Sequence, residues 1–231
     1  MLDVMLYGAL PYVALALFLV VSIQRYRRDP FTFSSLSSQF LESKRLFWGS
    51  VPFHLGILTL FFGHLIGFLF PREVTLWNQM PVRLFILEAT ALCAGILTLV
   101  GVIGLAVRRA TSPRVRQQTS PADIVVYLAL LFQIITGLWV AIGLQWGSAW
   151  YTQTAVPYLW SLFKFAPDIQ RVTDLPLAAR LHVLGAFVLV ALFPFTRLVH
   201  ALVAPVPYLW RPVQLVIWYR ERRRGDLRST T

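Results

Sequence analysis

Four histidines are the residues of this sequence whose type and spacing most clearly indicate chemistry. His54, His64, His182 and His200 are its only histidines, and each lies within a long apolar stretch. Ionisable side chains at membrane depth cost free energy, so they usually face a bundle interior, a cofactor or a proton path. The four divide equally between the second and the fifth apolar stretch. The pattern therefore predicts two sites, each built from one histidine of the second stretch and one histidine of the fifth.

The direction of the helices predicts which histidines meet. In antiparallel helices His54 lies at the depth of His200, and His64 at the depth of His182. At 1.5 Å per residue the two histidines are about 15 Å apart along the second stretch and about 27 Å apart along the fifth. Pro194 offers a kink that would absorb this mismatch. His182 and His200 are also five α-helical turns apart, so both are expected on one helix face.

Two histidine pairs at different depths are the ligand set of two b-type haems. An iron with imidazole on both sides has no open position, so such a site transfers electrons. No C-x-x-C-H motif is present, which excludes a covalent c-type haem. Two alternatives stay open: the histidines join helices by hydrogen bonds, or they form the proton path of a haem-free transporter. Small residues near the histidines suit close approach of a helix or a macrocycle; they are Gly56, Gly63, Gly67, Gly185 and Ala186.

The composition identifies the element that must position these histidines as a membrane-embedded helical bundle. Of the 231 residues, 57% are hydrophobic and 13% are charged, about half the charged fraction of a soluble domain. Five apolar stretches are long enough to cross a hydrocarbon core of roughly 30 Å as helices. They cover approximately residues 4–24, 51–70, 84–107, 124–146 and 177–204. The expected fold is an all-α membrane protein, one domain over 1–231, with a tail at 205–231.

The basic residues predict the orientation of the bundle. Fifteen of the 21 Lys and Arg residues lie in the connections after the first and third stretches and in the tail after the fifth. The positive-inside rule then places the N-terminus outside and the C-terminus in the cytoplasm. The net charge of +11 is therefore interpreted as a topology signal beside membrane lipid, with no nucleic-acid partner.

Three arginines are expected near the cytoplasmic pair of histidines. Arg108 and Arg109 end the third stretch, and Arg197 lies about one turn before His200. Each is a candidate to bind a haem propionate through charge-assisted hydrogen bonds. The alternatives are a plain topology signal for Arg108 and Arg109, and a phospholipid head group for Arg197.

A sixth apolar piece, 149–166, is too short and too polar to cross the membrane. It contains Pro157, Lys164 and several aromatic residues. We expect it at the outer interface, where Trp and Tyr residues form aromatic belts. The expected belt residues are Trp146, Trp150, Tyr151, Tyr158 and Trp160.

The residues around the histidines resemble the gamma (cytochrome b) subunit of membrane-bound respiratory nitrate reductase. The resemblance covers nearly the whole chain. It rests on the segments 53–58, 63–64, 108–116, 122–124, 180–182 and 192–200. The last of these, Leu-Phe-Pro-Phe-Thr-Arg-Leu-Val-His, is the most specific.

The resemblance implies a subunit of the cytoplasmic membrane that anchors an iron–sulfur (beta) and a catalytic molybdenum (alpha) subunit on the cytoplasmic side. It implies that quinol is oxidised near the outer face and that electrons pass through an outer and then an inner haem to the iron–sulfur subunit. By this resemblance His64 and His182 bind the outer haem iron, and His54 and His200 bind the inner one. The alternative within the same chemistry is the anchor of another quinol-linked oxidoreductase.

One departure from the family concerns the quinol site. At the start of the third stretch the family has a lysine implicated in quinol binding, and Arg83 stands there in this chain. Arginine keeps the charge and the hydrogen bonds but does not readily lose a proton. The alternative is an interfacial anchor whose head reaches the outer surface. Glu88, five residues further on, either accepts a proton from quinol or faces the outer water.

Overall fold

The computed structural model describes residues 1–33, 44–144 and 147–203. Within these ranges the chain is helical and contains no strand. Five helical segments are long and apolar enough to cross a membrane, so the predicted all-α membrane fold with five spans is confirmed. They are Val4–Arg28, Leu46–Leu69, Pro81–Thr111, Pro121–Gly143 and Leu177–Phe195, called the first to fifth spans below. The segment Arg197–Val203, which follows directly, is counted with the fifth span. The predicted ends of two spans, Trp146 and Ala204, and the tail 205–231 lie outside the described residues.

Local sequence explains where several of these helices begin. The first span opens with a π-helical turn, Val4–Ala9, and continues as the α-helix Leu10–Arg28. Pro81 and Pro121 stand in the first turn of the third and fourth spans, where the missing N–H of proline has no partner to lose. The second span belongs to the helix Lys44–Leu69. The connecting helices are Pro30–Thr32, Pro71–Trp77, Pro113–Arg116, Gly147–Trp150, Tyr151–Ala155, Val156–Phe163 and Gln170–Thr173.

The spans pack in an open arc, in the order second, third, fourth, fifth and first. The second and third spans approach closely because glycines face the contact. A Cβ on Gly56 would collide with the Thr98 side chain, and one on Gly101 with the backbone of Phe53. Within the described residues the second and fifth spans have almost no backbone contact with each other. The two helices that contain the histidines are therefore separated by a gap that side chains bridge.

The connection between the fourth and fifth spans packs onto the bundle and forms part of its core. Tyr158 is 0% exposed, and its hydroxyl donates a 2.8 Å hydrogen bond to the carbonyl of Tyr7. Trp160 stacks on Phe68, with ring centres 5.1 Å apart. The prediction of an aromatic belt is wrong for Tyr158, because its ring fills the core between the first and fifth spans. Trp146 lies outside the described residues.

The fifth span is not one continuous helix, which corrects the expectation for 177–204. Its α-helix Leu177–Leu192 ends before a short 3-10 turn, Phe193–Phe195. Thr196 is extended, and a second 3-10 segment, Arg197–Val203, contains His200. Pro194 has no N–H to continue the α-helix, which accounts for the break. His182 and His200 therefore do not share a face by helical periodicity.

Candidate functional site

The structure brings the four histidines together as two pairs across the gap between the second and fifth spans. The rings of His54 and His200 have centres 6.1 Å apart, with 71° between their planes. Those of His64 and His182 are 6.3 Å apart, with 41° between planes. These are the pairs that antiparallel helices predict. They form although His54 and His64 are closer together along the chain than His182 and His200 are. The break at Pro194 explains why a separation computed for a continuous helix does not apply.

The hydrogen bonds of the imidazoles define which nitrogen is available for binding. In His54, His64 and His200 the Nδ1 atom lies 2.7, 2.8 and 2.5 Å from the carbonyl oxygens of Ser50, Leu60 and Arg197. A carbonyl only accepts, so Nδ1 carries the proton and Nε2 carries the lone pair. A backbone carbonyl on the remote nitrogen is the usual support of a histidine that binds a metal. The same bond fixes the ring orientation.

His182 is held by the fourth span. Its Nδ1 atom lies 3.2 Å from the Gln133 carbonyl and 3.2 Å from Thr136 Oγ1. The Gln133 amide nitrogen is 3.1 Å from the same Nδ1. The ring also rests on Gly137, where a Cβ would lie 2.9 Å from His182 Cε1. The fourth span thus supplies both the hydrogen-bond acceptor and the space that this imidazole needs.

The geometry of both pairs fits axial binding of a haem iron. A metal bound between two imidazole nitrogens at about 2.0 Å places the ring centres about 6.4 Å apart, close to the distances in both pairs. Among the described residues no group of three or more His, Cys, Asp or Glu side chains is arranged to hold a metal ion. A non-haem site needs such additional ligands, whereas a macrocycle supplies four of its own. The residues present therefore fit a bis-histidine haem.

The three glycines of the second span, Gly56, Gly63 and Gly67, have different surroundings. The Tyr151 ring packs against the His64 imidazole, with centres 5.3 Å apart, and its hydroxyl donates a 2.9 Å hydrogen bond to the His64 carbonyl. Gly67 makes room for this ring, since a Cβ there would lie 2.8 Å from Tyr151 Cε1. Gly63 has open space around it, whereas Gly56 packs on the third span. Of these three glycines only Gly63 is therefore available for a bound group, and Tyr151 packs on His64.

A buried carboxylate organises the arginines near His54 and His200. Asp123 is 6% exposed and accepts from Arg109 Nη1 at 2.9 Å and from Arg197 Nε at 2.8 Å. It also closes a capping box with Ser120 at the start of the fourth span. Arg108 is 4% exposed in the last turn of the third span. Arg197 thus has a carboxylate partner within the chain itself, besides the propionate or phospholipid considered from the sequence.

Arg83 and Glu88 make local contacts at the other end of the bundle. The Arg83 side chain is exposed, and its guanidinium lies 5.1 Å from the centre of the Trp77 ring. The Glu88 carboxylate accepts from the backbone N–H and the hydroxyl of Ser148, at 2.8 and 2.7 Å. Glu88 is predicted from the sequence as a proton acceptor or as a group facing water, and this contact with Ser148 is not predicted. It anchors the first turn of the helical connection 147–163 to the third span.

Asp123 and Tyr151 are among the residues of the site whose roles were not identified from the sequence. Asp123 has a signal, because Ser120 and Asp123 have the spacing of a capping box beside a basic connection. Tyr151 has none, since its contact with His64 joins residues 87 positions apart.

Taken together, these features define a multi-pass membrane protein whose second and fifth spans meet through two histidine pairs at two depths. Residues 3–219 match the model of the nitrate reductase gamma subunit family. The chain therefore belongs to that family.

Individual relatives agree with this assignment. The chain is 34% identical to the nitrate reductase gamma chain of Bacillus subtilis (strain 168), over 94% of this chain and 97% of that protein. It is 35% identical to the respiratory nitrate reductase 2 gamma chain of Escherichia coli (strain K12), over 96% and 98%. It is also 37% identical to the nitrate reductase-like protein NarX of Mycobacterium tuberculosis, over 97% of this chain but 36% of that protein. These matches support a membrane subunit of a nitrate reductase over a haem-free transporter and over the anchor of another quinol-linked oxidoreductase.

Proposed function

We propose that this chain is the dihaem cytochrome b subunit of a respiratory nitrate reductase. It oxidises quinol near the outer face of the cytoplasmic membrane and delivers the electrons to an iron–sulfur subunit and a molybdenum subunit on the cytoplasmic side. Residues 1–231 act as a single domain, with the N-terminus outside. The observation that carries this proposal is the pair of His–His contacts at two depths, each with ring centres about 6 Å apart.

The chain holds each haem by one histidine from the second span and one from the fifth. His64 and His182 bind the outer haem, and His54 and His200 bind the inner one. When bound, the two haems supply two one-electron centres between the faces of the membrane. The protein orients the four imidazoles through their Nδ1 hydrogen bonds and keeps the second and fifth spans apart.

The charge distribution supports the orientation. The end of the bundle that contains His54 and His200 also contains Arg25, Arg109 and Arg197. The opposite end contains the neutral helical connection 147–163 beside His64. Because basic residues are retained on the cytoplasmic side, the His54–His200 pair faces the cytoplasm in this proposal. The electron acceptor then docks on that face.

The arginines contribute to the two ends in different ways. Arg108, Arg109 and Arg197 stabilise the inner haem through its propionates, in addition to the contacts of Arg109 and Arg197 with Asp123. Arg83 binds the quinol head group near the outer haem by donating hydrogen bonds to a quinone oxygen. Its exposure at the start of the third span, over Trp77, leaves the guanidinium accessible from the membrane interface.

Purification of the chain with its partners in a mild detergent tests this function. We expect a reduced b-type absorption band with two haems per chain, co-purification of an iron–sulfur and a molybdenum subunit, and quinol-dependent reduction of nitrate. A well-folded chain without haem contradicts the proposal. Two haems with different soluble partners would instead assign the chain to another quinol-linked complex.

A further inference from the structure

The break in the fifth span separates the two histidines of that span mechanically. His182 lies in the α-helix Leu177–Leu192, whereas His200 lies in the 3-10 segment Arg197–Val203 beyond the extended residue Thr196. The N–H of Thr196 still bonds to the Phe193 carbonyl at 3.3 Å, but the N–H of Leu198 bonds to the Thr196 hydroxyl, so the helical pattern does not continue. The position of His200 therefore depends on contacts made by other spans.

The first span supports the break through Arg25. This residue, in the last turn of the helix Leu10–Arg28, donates from Nη1 to the carbonyls of Pro194 and Thr196, at 2.7 and 3.2 Å. Its Nε and Nη2 atoms donate to the hydroxyl and the carbonyl of Thr32, at 3.1 and 2.9 Å. The guanidinium is thus fixed on both sides. It satisfies carbonyls that the interrupted helix leaves without their usual N–H partners.

The fourth span supports the same segment through Asp123. Its carboxylate binds Arg197 Nε, while Arg197 Nη2 donates to the Gln118 carbonyl at 2.9 Å. The carbonyl of Arg197 in turn accepts the Nδ1–H of His200. Asp123 therefore fixes the residue whose backbone orients the imidazole. Neutralising Asp123 would also leave Arg109 and Arg197 as neighbouring like charges at partly buried positions, 19% and 27% exposed, which is destabilising.

We infer that Arg25 and Asp123 are positioning residues for His200, and that together they set the geometry of the inner histidine pair. This inference rests on the proposed function, because it assigns the pair to a haem. Both residues act through the backbone at 194–200. The outer pair has separate support, since His182 is held by Gln133 and Thr136 of the fourth span.

The test compares Arg25→Gln and Asp123→Asn with matched controls in the purified complex. Arg72→Gln neutralises an exposed arginine outside the proposed docking surface, which makes no hydrogen bond or ion pair with the described residues. Asp168→Asn breaks an exposed ion pair with Arg171 in the connection before the fifth span. Haem content, the low-spin electron paramagnetic resonance signals and a redox titration are measured for each. Arg25→Lys retains the charge but not the planar fork, and serves as the milder variant.

We expect Arg25→Gln and Asp123→Asn to shift or abolish one haem component, the same one that His200→Ala removes, so that haem content falls toward one per chain. The other component and both controls should match the unmodified complex, and Arg25→Lys should shift the same signal by less. Unchanged signals in both variants, or equal loss of both components, overturn the inference. Absence of haem from the unmodified chain would overturn the proposed function, and the inference with it.

Discussion

The imidazole of His182 rests directly on the backbone of Gly137 in the fourth span. A Cβ on Gly137 would lie 2.9 Å from His182 Cε1 and 3.4 Å from its Nδ1. The first distance is shorter than real Cβ atoms show, and the second is at the lower limit of ordinary van der Waals contact. Glycine is therefore required at this position by the ring that faces it, and the outer histidine pair depends on a residue that does not itself bind anything.

Gly137→Ala is expected to displace His182 and weaken the outer site. The ring cannot retreat freely because its Nδ1 is held by Gln133 and Thr136. We expect the outer haem component to be lost or converted to high spin, measured by the absorption spectrum and the haem-to-protein ratio. Gly143→Ala is the matched control, because its Cβ would meet only the side chain of Trp139, at 3.3 Å. A Gly137→Ala spectrum identical to that of the control would contradict the prediction.

The Tyr151 hydroxyl, which lies beside His64, is expected to lose its proton at an unusually high pH. Burial raises the pKa of Tyr151 from 10.0 to about 12, because desolvation disfavours the tyrosinate. The pKa of Tyr151 is higher in the folded chain than in the unfolded chain. The contribution of the protonated hydroxyl to the free energy of unfolding is therefore complete below pH 10 and is lost as the pH rises through about 12. The tyrosinate absorbance of the unmodified chain minus that of Tyr151→Phe should reveal this step. Tyr26→Phe, which removes a tyrosine that is 57% exposed, gives the control difference; a Tyr151 step near pH 10 would refute the assignment.

Arg83→Ala is expected to reduce quinol-dependent electron entry while both haem components persist. The proposed contact is a hydrogen bond to a quinone oxygen, so Arg83→Lys should retain part of the activity. The KM for quinol and the rate of haem reduction by quinol measure the effect. Arg72→Ala removes another exposed arginine of the outer side and is the control. Equal quinol kinetics in Arg83→Ala and Arg72→Ala would leave Arg83 only the role of an interfacial anchor.

Sequence patterns predicted the five spans and the partners of the histidines for a common physical reason. Both follow from regular quantities: the length of apolar helix needed to cross a membrane and the alternation of direction between successive spans. His54 meets His200, and His64 meets His182, because depth in the membrane is encoded by position along the helices. These features survive local irregularity in the backbone.

The contacts that hold the histidines in place were less predictable. After Leu192 the chain contacts Arg25 through the Pro194 carbonyl and Asp123 through Arg197, and both residues are remote from it in sequence. A proline marks a possible kink but not where the helix resumes or which face then presents His200. Similarly, Tyr158 was assigned to an interface by its residue type, whereas tertiary packing buries it beneath the first span.

The tail is expected to bind the soluble partners. In the proposed function electrons leave from the inner pair, so we expect the acceptor to dock on the surface formed by the loop 25–45, the loop 108–120 and the tail after residue 205. Removing residues 211–231 should reduce co-purification of the iron–sulfur and molybdenum subunits while both haems remain. Removing only residues 228–231 is the control. Loss of both haems on the longer truncation would show instead that the tail is needed by the bundle itself.

Replacing the four histidines one at a time should remove the two haem components in a defined pairing. A missing ligand leaves one iron position unfilled, so the affected haem is lost or becomes high-spin. Because the rings of His64 and His182 face each other, His64→Ala and His182→Ala should lose the same component and cut electron entry from quinol. His54→Ala and His200→Ala should share the other loss and block delivery to the partner subunits, with the remaining haem still reducible by quinol. Each pair is the control for the other in the redox titration. Loss of one common component in His54→Ala and His182→Ala would contradict the antiparallel pairing, and with it the proposed direction of electron transfer.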